Sequence, residues 1–416
     1  MNLRGVLLLT LLCPFIGYAQ IAVRGLVVDE ATGKPIENAS VYYNNTKLGT
    51  MTNTSGAFLL YAKHPQQDLV ISSIGYEKVV MTILDKDSRF KIVMKPRVQL
   101  LNEVVISDNK FGWKRWGTLF FKGIMGDDSH DYPGSYIVNP EVLNFYFDRS
   151  TNILTVNSSD PVIIEHPELG YTINLDLANF EYDLISEKTQ YFATTFYVEK
   201  FDKVKAENIQ LTTNRAYLGS RDQFLRALYH NKLEEEGFKL YTYRSVKNLE
   251  RQRVEEEVNR LRLAEILKGN PRPGFRLADL KLNKDTLKYY QKILGQPGLI
   301  SRNLRAVSLD SMLFSDAADN LKTLKFKDSI LVTHGISREK AIMHTNFRNH
   351  FPSRRPDKPL EETVVFLVGA EEFQINEWGQ SLSNSLQMNG FMGQRRLART
   401  LPSDFDPKIP RKPMKK

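Results

Sequence analysis

Three arginines in the middle of this 416-residue sequence have the type and spacing of an anion-binding site. Arg215, Arg221 and Arg226 recur along a segment with helical periodicity, and Asp222 lies among them. Guanidinium groups form paired hydrogen bonds with oxyanions, and the N-terminus of a helix favours the same charge. The pattern therefore predicts either a site for an anion, such as an acidic glycan, or a solvated helix face with local ion pairs.

A second group combines aromatic and basic side chains. Trp113 and Trp116 stand beside Lys114 and Arg115. Aromatic rings can stack on sugars or lie at a membrane surface, but they also anchor a linker to a neighbouring domain. Trp113 and Trp116 are therefore candidate binding residues, and the anchoring role stays open as the alternative.

Catalytic motifs are missing from the sequence. None of the seven histidines begins a His-x-x-Glu or His-Glu-x-x-His pair, which would place two metal ligands on one element. His166 is too close to Glu168 for that spacing, and His230 is one residue too far from Glu234. Nucleophile-elbow, P-loop and dinucleotide motifs are absent too. We therefore expect no catalytic residue, no metal and no cofactor; the alternative is a hydrolase with an unrecognised active site in residues 110–402.

The first twenty residues have the composition of an export signal. Arg4 precedes an apolar run at residues 6–16, and Ala19 supplies a small residue before the expected cleavage point. The run is too short to cross a bilayer as a helix. Cys13 is the only cysteine and would leave with residues 1–20, so the mature chain would contain no disulfide. No later segment has the length of a transmembrane helix, so we expect an exported protein with none in the mature chain.

The formal net charge of +9 is concentrated at the C-terminus. Residues 395–416 contain eight Lys or Arg and two Asp, a surplus of six positive charges. Such a tail can bind an anionic surface or remain a solvated end. We predict a basic disordered tail at residues 403–416 and, for an exported chain, no nucleic-acid partner.

The hydrophobic pattern divides the chain into two folded regions. Residues 21–97 read as about seven short strands separated by turns, which is typical of an antiparallel β-sandwich. After a linker at residues 98–115, residues 116–402 alternate as strands, interrupted by helical segments at 214–236 and 248–268. The prediction is a multidomain protein: an all-β sandwich, then a larger, mainly antiparallel α+β region with two or more helices.

Three motifs in the first region also resemble a known family. GLVVDEATGKPIENASV at residues 25–41, GTMTNTSGAF at 49–58 and LVISSIGY at 69–76 resemble the carboxypeptidase regulatory-like domain, a transthyretin-like sandwich. LLNEVVI at residues 100–106 resembles the segment that follows this domain in outer-membrane TonB-dependent receptors. The region after it resembles, more loosely, an uncharacterised part of other secreted envelope proteins.

The resemblance implies a secreted envelope protein of a Gram-negative bacterium, located in the periplasm or associated with the outer membrane. It implies no peptidase activity, because the zinc-binding catalytic domain of carboxypeptidases is a separate unit. We expect a non-enzymatic protein with a binding or assembly role at the periplasmic face of the outer membrane. Its expected partner is an outer-membrane or periplasmic protein, with a glycan as a further ligand.

Overall fold

The structure is a computed structural model. It describes residues 21–62, 67–83, 89–97, 109–126, 129, 131–201, 205–268, 277–280, 282–296, 299–315, 321–335, 361–381, 385–409 and 411. The predicted export signal and the receptor-like segment at residues 100–106 lie outside these ranges. Two compact units divide the chain: Met1–Tyr43 with Leu48–Arg97, and Asn44–Lys47 with Val98–Lys416.

Seven strands form the described part of the first unit. They are β1 (Ile21–Asp29), β2 (Ser40–Tyr43), β3 (Gly49–Met51), β4 (Ala57–Ala62), β5 (Gln67–Ser72), β6 (Val79–Ile83) and β7 (Arg89–Met94). One sheet has the order β4-β1-β7 and the other the order β3-β2-β5-β6. The predicted seven-stranded sandwich is confirmed, with one correction: β1 and β7 run parallel, although an all-antiparallel arrangement was expected.

Alternation along the strands builds the core of this unit. Val23 and Val27 on β1 point inward and are fully buried, together with Leu69 and Ile71 from the opposite sheet. Gly56 has a φ of +72°, and a Cβ there would lie 2.5 Å from the carbonyl oxygen of Val27. The glycine of the GTMTNTSGAF motif is thus required by backbone geometry, in agreement with a structural role for this turn.

The second unit contains six helices and fourteen strands within the described residues. The helices are α1 (Asn109–Met125), α2 (Ala206–Tyr217), α3 (Arg221–Tyr229), α4 (Leu249–Lys268), α5 (Lys284–Leu294) and α6 (Phe391–Gln394). The strands are β8 (Tyr136–Ile137), β9 (Leu143–Asp148), β10 (Ile153–Ser158), β11 (Val162–His166), β12 (Tyr171–Asp183), β13 (Thr189–Glu199), β14 (Phe238–Lys247), β15 (Leu299–Ala306), β16 (Leu313–Ser315), β17 (Lys322–Lys325), β18 (Ile330–His334), β19 (Glu361–Leu367), β20 (Glu372–Ile375) and β21 (Leu386–Gly390). The mainly antiparallel α+β prediction is confirmed.

Helix α1 packs on a six-stranded sheet of order β8-β11-β12-β10-β9, in which β13 also pairs with β12. Phe120 of α1 is fully buried and meets Phe145 and Phe180 edge to face, with ring centroids 6.0 and 5.0 Å apart. The helix begins inside the segment predicted as a linker. Residues 109–115 are therefore part of the folded unit, because the apolar residues that follow them bind the sheet.

Helix α3 packs in another hydrophobic core of this unit, together with two further sheets. One sheet has five strands in the order β15-β14-β18-β19-β21, and the other has three in the order β16-β17-β20. The single helical segment predicted at 214–236 is instead two helices. The chain turns at Gly219, whose φ is +68°, and Ser220 caps α3 by accepting a hydrogen bond from the Gln223 N–H at 3.1 Å.

Helices α4 and α5 form a small separate core. Val254 and Val258 of α4 are buried against Leu280 and against Ile293 of α5. The predicted helix at 248–268 therefore agrees with α4. Of the helices in the described ranges, none combines the length and the apolar composition that crossing a membrane requires.

Candidate functional site

The three predicted anion-binding arginines lie in different settings. Arg215 is an exposed residue in the last turn of α2, and Arg221 is the exposed first residue of α3. Arg226 is half-buried further along α3. The break at Gly219 separates Arg215 from the other two, so one continuous helix face does not carry all three.

Arg226 is used by the protein itself. Its Nε donates to the Trp378 carbonyl at 3.1 Å, Nη1 to the Phe405 carbonyl at 2.7 Å, and Nη2 to the Ser403 carbonyl. The guanidinium also lies 5.5 Å from the Tyr217 ring centroid. Each guanidinium nitrogen donates to a backbone carbonyl, two of them on Ser403 and Phe405, so Arg226 holds the C-terminal segment in this structure. Anion binding by the three arginines stays a prediction.

The two predicted binding tryptophans belong to α1 and face the sheet. Trp116 is only 4% exposed, and its ring lies 5.2 Å from that of Phe147. Trp113 is half-buried beside Phe145, with ring centroids 6.4 Å apart. This placement supports the alternative in which the rings anchor the segment, and a ligand-binding role for them stays a prediction.

The C-terminal segment needs a correction to the predicted disordered tail at residues 403–416. Phe405 is buried in the α1 core, and the side chain of Arg411 is only 4% exposed. Arg411 donates to the carbonyls of Leu169 and Gly170, and its guanidinium lies 3.9 Å from the Tyr171 ring centroid. Residues 410 and 412–416 lie outside the described ranges.

Two buried histidines stand next to carboxylates. His166 is fully buried; its Nε2–H donates to the Ala398 carbonyl at 3.1 Å, because a carbonyl can only accept, and Nδ1 faces Glu168 at 3.6 Å. Burial alone would raise the pKa of Glu168, but the facing His166 ring and a hydrogen bond from the Gly134 N–H lower it to about 2. The pair ties a loop to the sheet edge.

The second pair is His334 with Glu361, which lie opposite each other on β18 and β19. His334 Nδ1–H donates to Glu361 at 3.1 Å, and the ring lies 4.6 Å from that of Phe238. Its Nε2 is buried without a hydrogen-bond partner among the described residues. In the ranges that the structure covers, no three metal-ligating side chains come together.

The outer face of the β4-β1-β7 sheet is a candidate binding surface that the sequence reasoning missed. Phe58, Leu60 and Ile92 point into the core, so the alternate positions of the same strands point outward. Seven exposed side chains on that side form what we call the basic–apolar face: Arg24, Leu26, Leu59, Tyr61, Arg89, Lys91 and Val93.

The strand register arranges this face in rows. Leu59, Arg24 and Arg89 form one row, and Lys91 lies beside Leu26 in the next. The outward positions of the three strands carry three cations and no carboxylate within the described residues. Three cations set among apolar side chains, with no carboxylate at the described outward positions of these strands, favour a ligand that is both anionic and apolar.

Only the register could have revealed this face. Arg24 and Arg89 are 65 residues apart, and the parallel pairing of β1 with β7 brings them together. The signal in the sequence was the alternation itself: Arg24, Arg89 and Lys91 take positions whose neighbours along the strand are core residues. Without knowing which strands pair, those cations look like ordinary solubilising charges.

The comparisons with known proteins concern mainly the first unit. Residues 23–106 match the family model described as the CarboxypepD_reg-like domain. A stretch of 88 residues is 36% identical to the TonB-dependent receptor SusC of Bacteroides thetaiotaomicron, which covers 21% of this chain. The chain spans only 8% of the length of that receptor.

Solved structures give weaker likenesses. A putative membrane-associated protein of unknown function from Bacteroides fragilis is 9% identical, with 85% of this chain and 93% of that chain covered, at a TM-score of 0.16. A DUF3823 family protein from Bacteroides ovatus is also 9% identical, with 44% and 83% covered, at a TM-score of 0.16. TM-scores this low carry no structural argument. The chain therefore contains a CarboxypepD_reg-like domain at residues 23–106, joined to a larger α+β region.

Proposed function

We propose that this chain is an exported, non-enzymatic envelope protein with a binding or assembly role at the periplasmic face of the outer membrane. The sandwich is its binding module, and the basic–apolar face is the contact surface. The α+β region is a scaffold held together by its own cores and by the Arg226 and Arg411 contacts. The partner is an outer-membrane or periplasmic protein.

The basic–apolar face is the observation that carries this proposal. The exposed side chains of Leu26, Leu59, Tyr61 and Val93 lower solubility, and the cations among them make no ion pair within the described residues. A partner that covers the face gains both the apolar burial and the charge pairing. The similarity of the first unit to a segment of a TonB-dependent receptor supports an envelope location.

No observation favours the hydrolase alternative over this role. His166 uses one ring nitrogen on a backbone carbonyl, and His334 is packed against Phe238. Ser135 donates its hydroxyl to Glu168 at 3.3 Å, but neither histidine ring has a serine or threonine hydroxyl as a hydrogen-bonded partner in the described contacts. The buried histidines are accounted for by packing and by their carboxylate neighbours.

Photo-crosslinking in cells tests the proposal. A photoreactive amino acid at Leu59, beside Arg24 in the face, should capture an envelope protein, whereas the same probe at exposed Lys34 should not. Substituting Arg24 and Arg89 with Glu in the Leu59 probe variant should abolish the crosslink, because the charge pairing is reversed. A crosslink that is equally strong from both sites, or that survives the charge reversal, would contradict the proposal.

A further inference from the structure

We propose that the basic–apolar face binds an extended, acidic segment of a partner protein, with carboxylates at alternate positions and an apolar side chain on the same side two residues beyond them. This inference rests on the proposed function and adds the chemistry of the partner. It follows from the spacing of the cations, from the position of the apolar side chains and from the shape of the sheet.

The three cations lie in two rows that follow each other in the direction of β7. Arg24 and Arg89 share one row, and Lys91 lies two residues further, about 7 Å along the strand. An extended chain lying along β7 repeats its side chains on one side at the same interval. Carboxylates two residues apart on such a segment would therefore meet the arginine pair and Lys91 in turn.

The apolar side chains flank these cations in the same rows. Leu59 lies beside Arg24, Leu26 lies beside Lys91, and Val93 continues β7 past the charged rows. Tyr61, which is 51% exposed, extends the apolar edge on β4. A segment with a leucine-like or aromatic residue two positions beyond its carboxylates would place that residue on the same side, where it buries these apolar side chains and desolvates the ion pairs.

The mixing of cations and apolar side chains on the face favours a protein segment over a lipid surface. Three strands make a surface about 10 Å wide, and its cations and apolar side chains share the same rows. Elements that enter a bilayer instead present an apolar side that inserts, with the cations behind it at the headgroup level. In this sheet Arg24 lies on the central strand. Insertion of the neighbouring apolar side chains into a bilayer would therefore carry its charge into the apolar layer.

Direct binding to defined probes tests the inference. The full mature chain is titrated against a labelled short peptide that has glutamate at two alternate positions and leucine or tyrosine two residues beyond the second glutamate. A matched peptide carries glutamine for glutamate, and vesicles of anionic phospholipid form the third probe. We expect the glutamine peptide to bind about tenfold more weakly, and the glutamate peptide to weaken as salt rises and screens the pairs.

Charge reversal makes the test specific. The double variant Arg24→Glu with Arg89→Glu should no longer bind the glutamate peptide and should bind a matched peptide that carries lysine in place of glutamate. Lys34→Glu should change neither binding. Vesicle binding that depends on Arg24 and Arg89, without peptide binding, would overturn the inference in favour of a lipid surface. Equal binding of the glutamate and glutamine peptides would overturn it as well.

The two proposals fail in different ways. If crosslinking in cells depends on the face but the acidic peptide does not bind, the proposed function stands and the partner chemistry is wrong. If crosslinking is independent of the face, the proposed function fails whatever the peptide does.

Discussion

Arg24 and Arg89 lie opposite each other on the neighbouring parallel strands β1 and β7. Like charges at directly paired positions destabilise a sheet, and neither arginine has an ion pair within the described residues. The face therefore carries a small cost in the free protein that an anionic partner would remove. Stability and binding should consequently respond in opposite directions to the same substitution.

Arg89→Glu should stabilise the folded protein while it abolishes partner binding. The new carboxylate faces Arg24 and lies two residues from Lys91, which replaces a repulsive pair with an attractive one. We expect the free energy of unfolding to rise by about 0.5 kcal/mol, measured by urea denaturation.

Lys34→Glu is the matched control for that substitution. It makes the same change in net charge at an exposed turn residue outside the face. It should leave both stability and crosslinking near their original values. An Arg89→Glu protein that unfolds more easily than Lys34→Glu would show that Arg89 supports the fold rather than a partner.

Arg226→Ala should destabilise the second unit, whereas Arg221→Ala should not. The first change removes a guanidinium that serves three backbone carbonyls, two of them on the buried residues Ser403 and Phe405. We expect a loss of about 3 kcal/mol for Arg226→Ala and less than about 0.5 kcal/mol for Arg221→Ala, by urea denaturation. Equal effects would contradict the structural role of Arg226.

Arg411→Ala should release the C-terminal segment. The variant loses two hydrogen bonds to the carbonyls of Leu169 and Gly170 and the stacking on Tyr171. Limited trypsin digestion should then cut after Lys408 well before the rest of the chain. Because the substitution also removes the cleavage site at residue 411, intact mass is followed to locate the cut.

Arg411→Lys is the control, since it keeps a positive charge and a cleavage site but loses the planar fork. It should give intermediate release. If the segment is digested at the same rate in all three proteins, Arg411 does not hold it in place.

Acid should weaken the second unit through Glu168. The folded-state pKa of this carboxyl is about 2, below its ordinary value of 4.5, so its contribution is complete above pH 4.5 and is lost as pH falls towards 2. The full shift corresponds to about 3 kcal/mol, and because solvent screens the partly exposed carboxyl we expect a loss of about 2 kcal/mol by pH 2. The free energy of unfolding, measured between pH 6 and pH 2, should fall over this range, and Glu168→Gln should reduce the fall. If the pH dependence is the same in the Glu168→Gln variant, Glu168 is not its source.

Local pattern predicted much of the fold. The seven short strands of the sandwich follow from alternation and from the turn residues between them, and Gly33 and Gly56 in those turns have a positive φ. The break between α2 and α3 was missed because Gly219 interrupts an otherwise helical pattern that tolerates one glycine. Whether the helix continues through Gly219 or ends there depends on tertiary packing, which the sequence alone does not reveal.

Long-range contacts could not be predicted. The role of Arg411 depends on carbonyls more than 200 residues away, and a Pro-Lys-rich composition resembles a solvated end. Trp116 reads equally well as a ligand platform or as a core residue, and only its contact with Phe147 distinguishes the two. The basic–apolar face likewise depends on the pairing of β1 with β7, which run parallel.

The most direct test of the central claim is site-specific crosslinking from Leu59 in intact cells, with Arg24 and Arg89 either native or both substituted with Glu. We expect the native protein to capture one or a few envelope proteins and the variant with both arginines changed to Glu to capture none, while both proteins reach the same cellular level. A capture pattern that is indifferent to the two arginines would contradict it.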